Sequence, residues 1–203
     1  MKKILFLVLG LTALITLSSC SAKVNLTLQK DGSLDVSFNG GAGAAFSKMI
    51  LSATGGEDSF NIKEIADELS KNGFSEVSAS SKGISEVILS FKDKRKSSFL
   101  FESGAGILTV KNNQLSVNLN RKTLKAFYDS ADENLQMILD LFLAPVFNDE
   151  EMSPAEYLEM LGTFYGASAA EEVQKSNIIF EIQNPDTGKI TLSYSIAELL
   201  CSN

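Results

Sequence analysis

The chain has 203 residues, with 25 Asp and Glu against 18 Lys and Arg, a formal net charge of −7, two cysteines and no histidine. The acidic balance speaks against nucleic acid, which needs a basic footprint. The lack of imidazole removes the commonest general base, the usual metal ligand and every triad built on histidine.

At the amino end, Lys2 and Lys3 precede an apolar stretch from Ile4 to Leu17. It is too short for a comfortable membrane span and has the flanks of an export signal. It closes on Leu17, Ser18, Ser19 and Cys20, a large apolar residue, two small ones and a cysteine. This resembles the lipobox of bacterial prolipoproteins. The resemblance implies cleavage before Cys20, a thioether from Cys20 to diacylglycerol, and an extracytoplasmic, membrane-anchored protein of the cell envelope. Two or three acyl chains on one residue exceed what stable anchoring needs.

Removal of residues 1–19 takes away two lysines and no acid, leaving 16 bases against 25 acids and a net charge near −9. An anionic bilayer does not attract such a domain, so the lipid alone must hold it. With Cys20 acylated, Cys201 is the last thiol. Neither an internal disulfide nor a thiolate zinc site is then available. Residues 20–23 read as lipidated cysteine and tether, and the three residues after Cys20 reach ~10 Å at most. Residues 24–203 read as one domain.

That domain opens with alternating Val24, Leu26, Leu28 and then Leu34, Val36, Phe38 about an Asp31-Gly32 turn, a hairpin signal. The run Gly40-Gly41-Ala42-Gly43 follows. It stands where a phosphate loop would stand, yet Phe46 fills the third glycine's place and no Gly-Lys-Ser/Thr follows. The spacing of Ala45, Met49, Ile50 and Ala53 predicts a helix stopped by Gly55-Gly56. Asn61 and Glu64 predict the cap of a second helix, with Ile62, Ile65, Ala66 and Leu69 on its buried stripe and Asn72-Gly73 at its end.

Segments 74–80 and 84–91 read as a strand pair, and so do 105–110 and 114–119. Between them, Lys92 to Lys96 reads as a compact basic loop. Residues 120–166 read as helical, interrupted at Pro145, with Ser153-Pro154-Ala155-Glu156 starting a new helix whose inner face is Tyr157, Met160, Leu161 and Phe164. A short helix near 167–175 leads to a last hairpin, 177–183 and 189–195, about Asn184-Pro185-Asp186-Thr187-Gly188, and then a short terminal helix holding Cys201. Four hairpins without strand–helix–strand alternation predict an α+β fold, an antiparallel sheet with helices packed on one face. Asn25, Thr27, Asp35, Asn118, Thr191 and Ser193 would face water.

No spacing singles out a catalytic group, a metal set or a cofactor site. The expected partners are the membrane, through Cys20, and an envelope protein, and the preferred function is a non-enzymatic interaction or scaffold module. An alternative is a carrier or sensor of an apolar ligand such as a lipid. It would use the apolar run 135–147, polar only at Gln136 and Asp140, with Phe142, Phe147, Phe164 and Tyr165. Ala144 to Phe147, Glu156 to Glu159, Phe164 to Gly166, Ala170 to Glu172 and Gly188 to Leu192 resemble small uncharacterised bacterial envelope lipoproteins. That resemblance implies a shared fold and no named activity.

Overall fold

A computed structural model describes residues 22–53, 61–94, 106–130, 136, 140 and 151–201. Strands β1 (Ala22–Leu28), β2 (Leu34–Gly40), β3 (Ser75–Lys82), β4 (Glu86–Asp93), β7 (Asn177–Asn184) and β8 (Gly188–Ser195) form one sheet in the order β3-β4-β2-β1-β7-β8. A separate hairpin joins β5 (Leu108–Lys111) to β6 (Gln114–Val117). The described helices are α1 (Ala44–Ala53), α2 (Ile62–Lys71), α3 (Arg121–Ser130), α4 (Pro154–Tyr165), α5 (Ala167–Lys175) and α6 (Ile196–Cys201). Among the described residues, no helix is long and apolar enough to cross a membrane.

The fold is α+β, with all four hairpins in place. Neighbouring strands of the large sheet are antiparallel except β1 and β7, which run parallel, with Val24 opposite Phe180 and Leu26 opposite Ile182. Period-two alternation decides the faces. Val24, Leu26, Leu28, Leu34, Phe38, Leu89, Phe91, Ile178, Phe180 and Ile182 are buried on one face. The helices supply the other half of this core with Phe46, Ile65, Leu69, Phe127, Tyr157, Leu161, Val173 and Leu200. On the opposite face, register sets Asn25 beside Ser37, Ser37 beside Ser90 and Ser90 beside Ser78, a row of short polar side chains.

Local chemistry explains the helix ends. Asn61 Oδ1 accepts from the amides of Lys63 and Glu64, and Gly73 closes α2 at φ 86°. At α4, Ser153 and Glu156 make a reciprocal capping box with Pro154 in the first turn.

Several boundaries and faces differ from expectation. β1 begins at Ala22, which is fully buried and paired with Ile178, two residues earlier than alternation suggested. Ala22 is too weakly apolar to extend the pattern by itself. Strands β3 and β4 lie one to two residues later, and a bulge at Glu76 (φ 56°) shifts the β3 register between Ser75 and Ser78. Of the expected basic loop, Lys92 and Asp93 belong to β4, Asp93 is buried, and Arg95 and Lys96 lie outside the described residues.

Phe164, expected on the inner face of α4, is 74% exposed. The buried residues of α4 are Tyr157 and Leu161, and the chain leaves the core at Gly166 (φ 90°) to enter α5. Cys201 is half-buried, packs against the core and has its thiol pKa raised by burial. Most of 131–150 lies outside the described residues, and with it the question whether 121–144 is one helix or two, and most of the run 135–147. Its two polar residues are described, and both turn to Tyr128 on α3. Gln136 Nε2 donates to the Tyr128 carbonyl at 3.0 Å, and Tyr128 Oη donates to Asp140 Oδ1 at 2.7 Å.

Candidate functional site

The parallel pairing of β1 with β7 creates a cleft. From neighbouring strand ends, β1 turns away to β2 on one side and β7 turns away to β8 on the other. Two connections that leave adjacent parallel strands in opposite directions open a crevice beyond their carboxyl ends, as at the switch point of open α/β sheets. A cavity of about 530 Å³ sits there, lined by Thr27, Gln29, Lys30, Asp31, Ser33, Lys92, Gln183, Asn184 and Pro185 among others. It shares Thr27 and Lys92 with a smaller cleft of about 210 Å³ on the polar sheet face, where Asn25, Asp35, Ser37, Glu76 and Ser90 lie.

Hydrogen bonds hold the crevice walls. The Asp31 carboxylate accepts from the Ser33 amide at 2.9 Å and from Ser33 Oγ at 2.7 Å, an Asx turn closed by Gly32 at φ 83°. These bonds lower the Asp31 pKa, the Ser33 hydroxyl contributing most. Gln29 Nε2 donates to Asp35 Oδ2 at 2.6 Å. Lys92 reaches Asp35 at 3.3 Å and Glu76 at 3.5 Å. Its pKa is raised, chiefly by the bond to Asp35.

On the opposite wall, Asn184 is buried, with 1% exposure. Its Oδ1 accepts from the Leu115 amide at 2.7 Å and its Nδ2 donates to the Leu115 carbonyl at 3.2 Å. One side-chain amide thereby satisfies both backbone groups of a buried β6 residue and pins the small hairpin to the rim of the crevice.

The crevice offers hydrogen-bonding groups of both kinds and one exposed cation, Lys30, with no ion pair among the described residues. Ser33 is 4% exposed and its hydroxyl is committed to Asp31, so it builds the turn. Among the described residues, no cluster of three or more Cys, Asp or Glu is placed to hold a metal ion. Such a site suits recognition of a polar surface.

The glycine-rich run lies at the other end of the sheet and is filled by the chain itself. Glu172 of α5 accepts from the Ala45 amide at 2.9 Å and the Phe46 amide at 3.3 Å, so a carboxylate already occupies the amino end of α1. A Cβ on Gly43 would fall 2.3 Å from Glu172 Oε2, and one on Gly41 would fall 2.0 Å from the Ser85 carbonyl oxygen. Close packing, not phosphate, accounts for these glycines.

Cys20 lies outside the described residues, as do Phe142 and Phe147. Phe164 and Tyr165 come together with ring centroids 6.5 Å apart, both exposed. Sequence reading missed the crevice altogether. Asn184 carries ordinary turn chemistry, and no local signal reveals that β1 and β7 are neighbours.

Acid should weaken the fold. Glu181, held by Lys23 at 2.8 Å and Lys189 at 3.0 Å, has its pKa lowered from an ordinary 4.5, first by its bond to Lys23. Glu156 and Asp31 are lowered as well. A carboxylate depressed in the folded state contributes stability above its unfolded pKa and loses it as pH falls through the folded value. The urea midpoint should therefore hold above pH 4.5 and decline below it, and Glu181→Gln should flatten that decline. An unchanged acid limb in the variant would remove Glu181 from the explanation.

Comparison with protein-family models, curated proteins and solved structures returns no match for this chain.

Proposed function

We propose that this is a lipid-anchored lipoprotein of the bacterial cell envelope that acts as a non-enzymatic interaction module. Cys20 carries the acyl chains, and the crevice between the β1–β2 and β7–β8 turns receives a protein partner. The observation that carries this reading is the character of the crevice. It is wide and open, it mixes polar and apolar groups, and its Ser33 hydroxyl and Asp31 carboxylate are committed to each other as structural bonds. The lipobox residues Leu17 to Cys20 supply the location.

Mass spectrometry of the amino-terminal peptide from membranes should find an acylglyceryl cysteine, and Cys20→Ala should release the protein from the membrane. A photo-crosslinker at Lys30 or Thr187, both beside the crevice, should trap the same discrete protein neighbour in intact cells. One at Asn39, at the other end of the sheet, should not. Equal trapping from both ends, or turnover of a substrate by the purified protein, would overturn the interaction reading.

A further inference from the structure

We propose that the sheet end carrying the amino terminus of β1 is a membrane-contact rim, seated on the phospholipid headgroups of the bilayer that holds the anchor. The inference rests on acylation of Cys20. Because β1 begins at Ala22, Ser21 is the only residue between it and the acylated position. Two extended Cα steps span about 7 Å. That end of the sheet has no stalk and must meet the membrane surface.

The register names the rest of the rim. Ala22 lies beside Ile178 at the start of β7, Lys23 beside Asn39 near the end of β2, and Gly40 beside Val87 at the start of β4. The β3–β4 turn and the end of β8 fall at the same level, through Lys82 opposite Glu86 and Asn177 opposite Ser195. The loops there are stitched together. The Ala42 amide donates to the Ile84 carbonyl at 2.7 Å, and the Ile196 amide to the Ser176 carbonyl at 3.1 Å.

The anchor enters near the middle of this base, since β1 is the fourth of six strands. At strand spacing the base is about 24 Å wide, and the amino end of α1 and the carboxyl end of α5 thicken it on the helical side. A domain held at its centre on such a base stands on it, because tipping either way lifts half of the contact.

The chemistry fits headgroups and not the acyl layer. Ser85 and Asn39 are short, polar and exposed. Three lysines near this end are paired with acids, Lys23 with Glu181, Lys82 with Glu86 and Lys175 with Glu171. Pairs of this kind meet a zwitterionic surface without strong net attraction or repulsion. The crevice then stands about 20 Å above the rim, the rise of β1, and opens to the aqueous side.

Collisional quenching tests the orientation. The full lipoprotein with Cys201→Ser and one new cysteine carries an environment-sensitive fluorophore in phosphatidylcholine vesicles doped with a headgroup-nitroxide lipid. Labels at Ser85→Cys and Asn39→Cys should be quenched at least about threefold more than labels at Lys30→Cys and Thr187→Cys, given the ~20 Å between the two ends. Either pair decides if one member of the other fails to fold. Equal or reversed quenching in acylated, vesicle-bound protein overturns the rim and leaves the anchor standing. Protein that lacks the acylglyceryl mass and fails to float with vesicles sinks both, and mass spectrometry separates the two failures.

Discussion

Asn184→Ala should destabilise the fold by about 2–4 kcal/mol, because it strips partners from two buried backbone groups at once. The Leu115 amide and carbonyl both depend on the Asn184 side chain, and Leu115 is 1% exposed. In a domain of this size the loss corresponds to a fall of roughly 5–15 °C in melting temperature.

Asn184→Leu should be no better, since filling the volume leaves the same donor and acceptor unpaired. Asp186→Ala is the matched control. Its exposed carboxylate accepts from Asn113 Nδ2 at 3.3 Å, and its removal should cost less than about 0.5 kcal/mol. Amide exchange should place the Asn184→Ala loosening first in β5 and β6. A change below about 1 kcal/mol would mean that the hairpin is held by its apolar contacts alone.

Gly41→Ala should cost about 3 kcal/mol, the upper end of ordinary overpacking. The new methyl would stand 2.0 Å from the Ser85 carbonyl oxygen and 2.4 Å from its carbon. Both are backbone atoms of a turn tied to the same loop through Ala42 and Ile84. Neither side can yield by changing a rotamer, so the loop and turn must separate.

Gly162→Ala provides the contrast. Its Cβ would meet only Ala170 Cβ, at 3.7 Å, in the interior of α4. Alanine exceeds glycine in helix propensity by about 0.8–1.0 kcal/mol, so this variant should gain stability. Denaturant melts of the two variants beside the parent decide the matter. A neutral Gly41→Ala would show that the 40–43 loop is free to move, which would remove the rigidity argued for the rim.

Much of the fold was legible because its signals are local. The alternation of Leu26 and Leu28 with polar neighbours, and of Leu34, Val36 and Phe38, marks strands whatever they pair with. Asn61 with Glu64, and Ser153 with Glu156, mark helix starts because a cap acts within one turn. The α5 helix and the last hairpin also fell within a residue of where their spacing put them. Legibility failed at the margins of such patterns. Ala22 adds too little hydrophobicity to announce a strand, and Phe164 keeps the helical step of a buried residue at a point where α4 has already left the core.

The candidate site was illegible for a different reason. Lys30, Asp31 and Asn184 are ordinary turn residues until β1 is laid beside β7, about 150 positions later in the chain. The same holds for Glu172, which closes α1 from 127 residues away, and for Asn184, which closes Leu115 from 69. The chain by itself determined strand faces, helix caps, the turn chemistry and the α+β class, since each follows from interactions within a few residues. Only the tertiary structure decided that one strand pair is parallel, that a crevice opens between its diverging turns, and that the glycine run is packed shut. Those outcomes depend on which distant surfaces bury one another, and no short window of sequence contains both partners.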